Sequence, residues 1–183
     1  MEDYFIFDLE TAPVKEGAEA EAALNPTTAE IVAAGIRHDG ENYIFNESEE
    51  KDILTNFWHR WSLIRKGDSS IPGIGFNIKN FDLRFLTTRS LANEACVRPF
   101  IKKNMIDLRE IVSCYNWGSE GTLEEFCKIA DIEPPADSGQ KVPMWYKNGD
   151  EDKIKEHLEE DLVKTEELFE KADLVNLTKV EKW

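Results

Sequence analysis

The stretch YFIFDLET, residues 4–11, decides the fold that the sequence predicts. Its first four residues are continuously apolar or aromatic, which is typical of a strand buried on both faces of a sheet. The strand continues directly into two acidic residues, Asp8 and Glu10. Because side chains alternate along a strand, both carboxylates lie on the same face as Ile6. The sequence therefore predicts a central strand that ends in a pair of carboxylates.

The other elements are predicted from hydrophobic periodicity and turn residues. Strands are predicted at residues 30–37, 43–46 and 72–77. Helices are predicted at residues 49–66, 80–90, 107–114, 122–130 and 151–173. Loops are predicted at residues 11–28, with room for one helical turn, and at residues 133–149. Strands early and helices late indicate one α/β domain, residues 1–183, with a mixed β-sheet flanked by α-helices.

Composition agrees with a single globular domain. Hydrophobic residues make up 41% of the chain and charged residues 32%, which excludes a disordered chain. No apolar run approaches the roughly 20 residues that a membrane helix needs, so no membrane partner is expected. Cys96, Cys114 and Cys127 show no C-x-x-C spacing, which argues against a secreted disulfide framework and a zinc ribbon. A cytoplasmic location is therefore expected.

The net charge limits the partners that the protein can attract. The chain has 22 basic and 37 acidic residues, a formal net charge of −15. Residues 1–50 hold 13 acidic and two basic residues, whereas residues 79–109 hold seven basic and three acidic residues. A nucleic acid would not be attracted to the whole molecule. It would be attracted only to the middle segment or to metal ions held by the acids.

Two further carboxylates occupy positions where burial is expected. Asp82 follows the predicted strand at residues 72–77 and begins a helix. Asp161 lies on the apolar stripe of the last helix, with Ile154, Leu158, Thr165 and Leu168. An isolated carboxylate on a core face costs several kcal/mol, and a cation would offset that cost. Each feature alone has a simpler explanation: chance for D-x-E at residues 8–10, an N-cap for Asp82, and an exposed edge position for Asp161.

The order of these motifs resembles that of the DEDD (DnaQ-like) superfamily of 3′→5′ exonucleases. D-L-E-T at residues 8–11 is similar to the first motif, D-x-E-T, and N-I-K-N-F-D at residues 77–82 is similar to the second, N-x-x-x-F-D. H-L-E-E-D-L-V-K-T at residues 157–165 best matches the third motif in its form Y-x-x-x-D-V-x-x-T. D-L at residues 107–108 and T-L at residues 122–123 resemble intermediate helices of the polymerase-B-like members.

One residue departs from the family's pattern. His157 stands where the polymerase-B-like form has tyrosine, four residues before the last aspartate. Residues four apart share one helix face, so His157 can still lie over Asp161. Two interpretations stay open. His157 takes the proton of the attacking water, or it is solvated and the general base is absent or elsewhere.

The resemblance implies a fold, a reaction and its cofactors. The fold is a ribonuclease-H-like mixed β-sheet flanked by α-helices. The reaction is hydrolysis of the 3′-terminal phosphodiester with release of nucleoside 5′-monophosphates. Two Mg²⁺ or Mn²⁺ ions, about 3.5–4 Å apart, are expected between the carboxylates, with Asp8 bridging them. The catalytic residues that the resemblance implies are Asp8, Glu10, Asp82, Asp161 and His157.

The resemblance also implies contacts with the 3′ end of a single-stranded nucleic acid. The expected substrate-binding residues are Leu9, Thr11, Asn77, Phe81, Trp145 and Tyr146. For Phe81, Trp145 and Tyr146 the alternative is packing in the core. Basic residues of the middle segment either guide the strand or form a solvated face; they include Lys79, Arg84, Arg98, Lys102, Lys103 and Arg109.

Single-stranded DNA is favoured over RNA as the substrate, because the third motif has the tyrosine-type spacing and the intermediate helices resemble polymerase-B-like members. An exoribonuclease or oligonucleotide nuclease of the same family is the first alternative. A catalytically inactive nucleic-acid-binding module is the second. Because the charge disfavours tight duplex binding, we expect either distributive action on a short 3′ end or delivery by a protein partner.

Overall fold

The computed structural model describes residues 3–15, 20–68, 70–115 and 121–180. Five strands lie in these ranges: β1 (Phe5–Pro13), β2 (Ala29–His38), β3 (Glu41–Phe45), β4 (Gly73–Gly75) and β5 (Ile106–Asp107). Six α-helices lie there as well: α1 (Glu50–Arg65), α2 (Asp82–Asn93), α3 (Leu108–Val112), α4 (Leu123–Ile129), α5 (Val142–Asn148) and α6 (Glu151–Leu174). Short 3₁₀ turns are formed at Ala20–Leu24, Lys102–Asn104, Gly139–Lys141 and Leu177–Lys179.

The strands form one mixed sheet in the order β3-β2-β1-β4-β5. β1, β2 and β3 are antiparallel neighbours, whereas β4 and β5 run parallel to β1. Ile6, Ile74 and Ile106 form one row across the three parallel strands. Residues that follow β1, β4 and β5 therefore meet at one edge of the sheet. The predicted mixed sheet flanked by helices is confirmed.

Aromatic side chains of β1 pack against α1 on one face of the sheet. The ring centroids of Phe5 and Phe7 lie 4.7 and 5.3 Å from that of Trp61. Phe57 and Trp58 are also buried in this layer, as the apolar stripe of the helix predicts. Aliphatic side chains such as Ile53 and Leu54 complete this layer, so this face of the sheet is covered by apolar packing.

The opposite face of the sheet is covered by α6. Ile6 lies in the same buried cluster as Leu158 and Leu162 of that helix. Gly35 of β2 permits the close approach, because a Cβ atom there would lie 2.7 Å from Leu162 Cδ1. The face of β1 that carries Ile6 is therefore the face on which α6 places its side chains.

The predicted loop at residues 11–28 is wrong for its first three residues. β1 continues to Pro13 by pairing with β2, after a register shift between Glu10 and Thr11. The 3₁₀ turn Ala20–Leu24 corresponds to the helical turn expected in this loop. The carboxylates of the first motif thus lie in the middle of a strand, where pairing with β2 fixes their backbone.

Two further predictions differ from the structure: the helix at residues 107–114 is confirmed with different ends, and the loop at residues 133–149 is wrong where it forms a helix. The helix predicted at residues 107–114 begins one residue later, because Asp107 pairs in β5 and caps α3. β5 has only two residues and was not predicted. The loop predicted at residues 133–149 contains α5, with Pro143 in its first turn and Gly149 at φ +74° directly after it.

The remaining predicted elements are confirmed, with ends that differ by up to three residues. A capping box begins α4, since the side chains of Thr122 and Glu125 each accept a hydrogen bond from the other's backbone N–H. Among the described residues, no helix combines the length and the apolar character of a membrane span.

Candidate active site

Four carboxyl groups from three elements converge beside the centre of the sheet. Asp8 and Glu10 come from β1, Asp82 is the first residue of α2, and Asp161 comes from α6. The carboxyl groups of Asp8 and Asp82 are within hydrogen-bonding distance of each other. Glu10 interacts electrostatically with the other three. The structure therefore brings together all four acidic residues that the motifs single out.

The fold explains this convergence. β4 lies next to β1 and runs parallel to it, so the turn after β4 places the start of α2 near Asp8. α6 covers the face of β1 that carries Asp8 and Glu10, which brings Asp161 to the same point. Glu10 and Asp82 are buried, whereas Asp8 and Asp161 keep partial exposure.

His157 lies against two of these carboxylates. Its Nε2 is 3.5 Å from Glu10 Oε1 and 3.7 Å from Asp161 Oδ2, and its side chain is 2% exposed. The Trp145 ring packs edge-on against it, with 5.8 Å between the ring centroids. Gly139 leaves space beside Nε2, since a Cβ atom there would lie 3.5 Å away. His157 therefore overhangs Asp161, as the four-residue spacing predicts.

Burial and mutual repulsion dominate the electrostatics of the site. Burial raises the pKa of Asp8 to about 6. Burial first, and then the charges of neighbouring carboxylates, raise the pKa of Glu10, Asp82 and Asp161 well above their usual range. Burial also lowers the pKa of the His157 imidazole. Protons or a cation must compensate these carboxylates, because no lysine or arginine in the described ranges forms an ion pair with them.

The donor atoms fit a hard divalent cation. Asp82 Oδ1, Asp161 Oδ1 and both ring nitrogens of His157 are buried without a hydrogen-bond partner among the described residues. Ligand atoms of Glu10, His157 and Asp161 lie within 4.8 Å of one another. Buried polar atoms require a partner, and carboxylate oxygens are the ligands that Mg²⁺ and Mn²⁺ prefer.

A groove of about 460 Å³ adjoins Glu10. Three predicted substrate-binding residues, Leu9, Thr11 and Phe81, contribute to its lining. The Thr11 hydroxyl donates a hydrogen bond to the Ala23 carbonyl at 2.8 Å and so fixes the 3₁₀ turn that forms one wall. The half-buried Phe81 ring lies 4.7 Å from that of Phe85 and faces the groove from α2.

The other three predicted contacts lie elsewhere. Asn77 is in the turn before α2 and is not among the residues that line the groove. Trp145 is 5% exposed and contacts His157, which favours the core-packing alternative. Tyr146 donates a hydrogen bond to Glu30 at 3.1 Å and lines a separate pocket of about 140 Å³.

Sequence reasoning missed the opposite wall of the groove. Gly139, Gln140 and Pro143 supply it from the segment predicted as a loop, and Leu24 supplies part of the 3₁₀ side. Pro143 followed by Gly149 is a helix start-and-stop signal that would have revealed α5. Nothing in the sequence indicates that Leu24 belongs to the site.

Only part of the basic middle segment lies near the site: the exposed Arg84 is in the first turn of α2, two residues after Asp82. Arg98, Lys102 and Lys103 precede β5, and β5 is parallel to β1, so they lie toward the edge opposite the carboxylates. Lys79 is nearer, but its Nζ pairs with Glu110 Oε2 at 2.8 Å.

Comparison with known proteins gives the family. The model of the RNase H superfamily matches residues 5–183. The chain belongs to the RNase H superfamily. No curated protein sequence matches it. Membership of the RNase H superfamily supports a nuclease-type function.

A solved structure agrees with this assignment. The chain is similar to the family B DNA polymerase from the hyperthermophilic archaeon Pyrobaculum calidifontis, with a TM-score of 0.76 and 16% identity. The match covers 97% of this chain and 25% of the polymerase, so the chain spans about a quarter of that protein's length. The predicted resemblance to the polymerase-B-like exonucleases is confirmed at the level of the fold.

Proposed function

We propose that this protein is a divalent-metal-dependent 3′→5′ exonuclease that acts on single-stranded DNA and releases nucleoside 5′-monophosphates. The observation that carries the proposal is the convergence of four carboxyl groups and a buried histidine beside an open groove. The pKa of each carboxyl group is raised. Such an arrangement costs folding energy, and it is retained where it serves chemistry.

The four carboxylates would hold the metal. Asp8, Glu10, Asp82 and Asp161 would supply the oxygen ligands for two Mg²⁺ or Mn²⁺ ions. Such ions lower the pKa of water and stabilise negative charge on a departing oxygen. The protein's own contribution is a set of donors with a fixed backbone, since Asp8 and Glu10 both pair with β2.

In this proposal, His157 accepts the proton of the attacking water at Nε2; the distances of 3.5 Å to Glu10 and 3.7 Å to Asp161 support that role. Burial lowers the pKa of the imidazole, so the ring is neutral at pH 7 and has a free electron pair. Trp145 holds the ring by edge contact, and Gly139 leaves space beside Nε2. The ring is therefore oriented by packing.

The groove would receive the terminal nucleotide. Leu9, Leu24, Phe81 and Pro143 give it apolar walls on which a base can pack, and Gln140 adds a polar group. It opens next to Glu10, so a nucleotide in it presents its phosphate to the carboxylates. The third-motif spacing favours DNA as the substrate, and RNA is an outcome of the test below.

A cleavage assay tests the proposal. With Mn²⁺ or Mg²⁺, 5′-labelled single-stranded DNA should give a ladder that shortens from the 3′ end. The Asp161→Asn variant should give none, whereas Glu159→Gln on the same helix should cleave like wild type. A ladder on RNA alone would indicate an exoribonuclease, and binding without cleavage would indicate an inactive module.

A further inference from the structure

A buried carboxylate outside the acidic cluster holds the segment that leads to Asp82. Asp107, at the end of β5, is 1% exposed. Its Oδ1 accepts hydrogen bonds from the backbone N–H groups of Asn77 at 2.9 Å and Arg109 at 3.1 Å. Its Oδ2 accepts one from the N–H of Lys79 at 2.9 Å. These bonds involve a charged acceptor, which makes them stronger than neutral ones.

Two of the three donors belong to the turn between β4 and α2. Asn77 has φ +65°, and its carbonyl accepts the N–H of Phe81 at 3.1 Å. The turn ends at Asp82, the first residue of α2. A non-glycine residue at positive φ persists where its surroundings hold it there, and the Asp107 carboxylate does so.

The third donor gives Asp107 a separate task. By accepting the N–H of Arg109, the side chain caps α3. Capping would need one oxygen, and the other bonds reach residues about 30 positions earlier in the chain. The ion pair between Lys79 and Glu110 joins the same two segments a second time.

We propose that Asp107 is a positioning residue of the candidate active site. Its carboxylate fixes the turn at residues 77–81 and so sets the Asp82 carboxyl group against that of Asp8. The activity readout of this inference rests on the proposed function. Metal affinity and amide exchange test the inference without it.

Two variants separate positioning from capping. Asp107→Ser keeps one oxygen as an N-cap for α3 but loses the second oxygen, Oδ2, which accepts the N–H of Lys79 in the turn. Asp107→Asn turns an amide donor toward one of the N–H groups. In both, the Mg²⁺ dissociation constant measured by calorimetry should rise about tenfold or more. On DNA oligomers, kcat should fall about tenfold or more, with KM changed by less than about threefold.

Thr122→Ala is the matched control. The Thr122 hydroxyl accepts the N–H of Glu125 at 3.3 Å and caps α4, which carries none of the four carboxylates. This variant should melt at a lower temperature while its Mg²⁺ affinity and kcat stay at wild-type values. If Asp107→Ser behaves in the same way, Asp107 is only the cap of α3 and the proposal is overturned.

Amide exchange in the wild-type protein decides the matter even if the Asp107 variants do not fold. Mg²⁺ should slow hydrogen exchange at Asn77 and Lys79 about fivefold or more, while the Glu125 amide stays unchanged. Equal rates with and without Mg²⁺ would overturn the proposal. Slowed exchange in a protein that cleaves neither DNA nor RNA would support Asp107 as a positioning residue and contradict the proposed function.

Discussion

At the scale of single residues, the stability of the folded protein depends on whether the carboxyl groups of the acidic cluster are protonated. Asp8 has an ordinary pKa of 3.8, and burial raises it to about 6 in the folded protein. Between these two values the folded state binds more protons than the unfolded chain. Stability therefore decreases as the pH rises through this window, and this loss is complete above about pH 6. A bound divalent cation reverses the sign, because it favours the ionised form.

The Asp8→Asn variant should show this dependence directly. In EDTA, we compare the free energy of unfolding of the variant with that of wild type at pH 4 and at pH 7. The difference should shift by about 2 kcal/mol in favour of the variant at the higher pH, because the amide cannot ionise. The same variant should lose turnover. Chemical denaturation at both pH values is the measurement, and a difference that does not change with pH would contradict a raised pKa for Asp8.

His157 leads to a second prediction at this scale. His157→Ala should lower kcat by about 10²-fold or more, and His157→Tyr should recover part of the loss if the ring also orients water. The ordinary pKa of a histidine is 6.5, and burial lowers that of His157. The decrease of kcat on the acid side of the pH profile should therefore be centred below pH 6.5. Lys155→Ala, on the exposed side of α6, is the control. Alanine activity within threefold of wild type would remove His157 from the mechanism.

At the scale of elements, the site depends on the contact between β4 and β1. A Cβ atom at Gly75 would lie 2.3 Å from Ile78 Cγ2 and 2.7 Å from the Phe7 carbonyl oxygen. Backbone atoms cannot move aside cheaply, so β4 and the turn that follows it would have to shift away from β1. Asp82 would shift with them.

Gly75→Ala should therefore reduce both stability and metal binding. We expect a loss of about 1–3 kcal/mol in the free energy of unfolding and a smaller rise in melting temperature on adding Mg²⁺. Gly40→Ala is the control, since Gly40 has φ +78° but nothing within 4 Å of its would-be Cβ. Strain there should cost stability and leave the Mg²⁺ effect intact. If Mg²⁺ raises the melting temperature of both variants equally, the position of Asp82 does not depend on the packing of β4 against β1.

Local pattern predicted the long, periodic elements, whereas the acidic cluster was predicted from the resemblance of three ordered motifs to a known family. Alternation on β1 places Asp8 and Glu10 on one face, and the stripe of α6 places Asp161 on its inner side. α5 was missed because seven residues form a stable helix only when Val142 and Trp145 are buried by the rest of the fold. The groove was missed for the same reason, since its walls meet only in the folded molecule.

At the scale of the whole molecule, the negative net charge and the position of the basic residues disfavour long-range attraction of nucleic acid to the site. The net charge is −15, and Arg98, Lys102 and Lys103 lie toward the edge opposite the carboxylates. Other cations pair with acids, as Arg89 does with Glu50 at 2.6 Å. Under the proposed function, binding of a strand would then depend on the metal ions and on packing in the groove.

Affinity for single-stranded DNA should therefore depend only weakly on salt. With the Asp161→Asn variant, the slope of log affinity against log salt should be no steeper than about −2, since each phosphate contact contributes about −0.7. Lys102→Glu should change the affinity by less than twofold. A slope of about −4 or steeper would indicate a basic track that contacts several phosphates.

The edge contact between Trp145 and His157 also places a natural fluorophore beside the candidate metal site. Trp58 and Trp61 lie on the other face of the sheet and report unfolding of the aromatic layer. Trp145 fluorescence should instead respond to Mn²⁺, a paramagnetic quencher, while the protein stays folded. Trp145→Phe should remove that response and leave the unfolding signal, so one spectrum would follow both occupancy and folding.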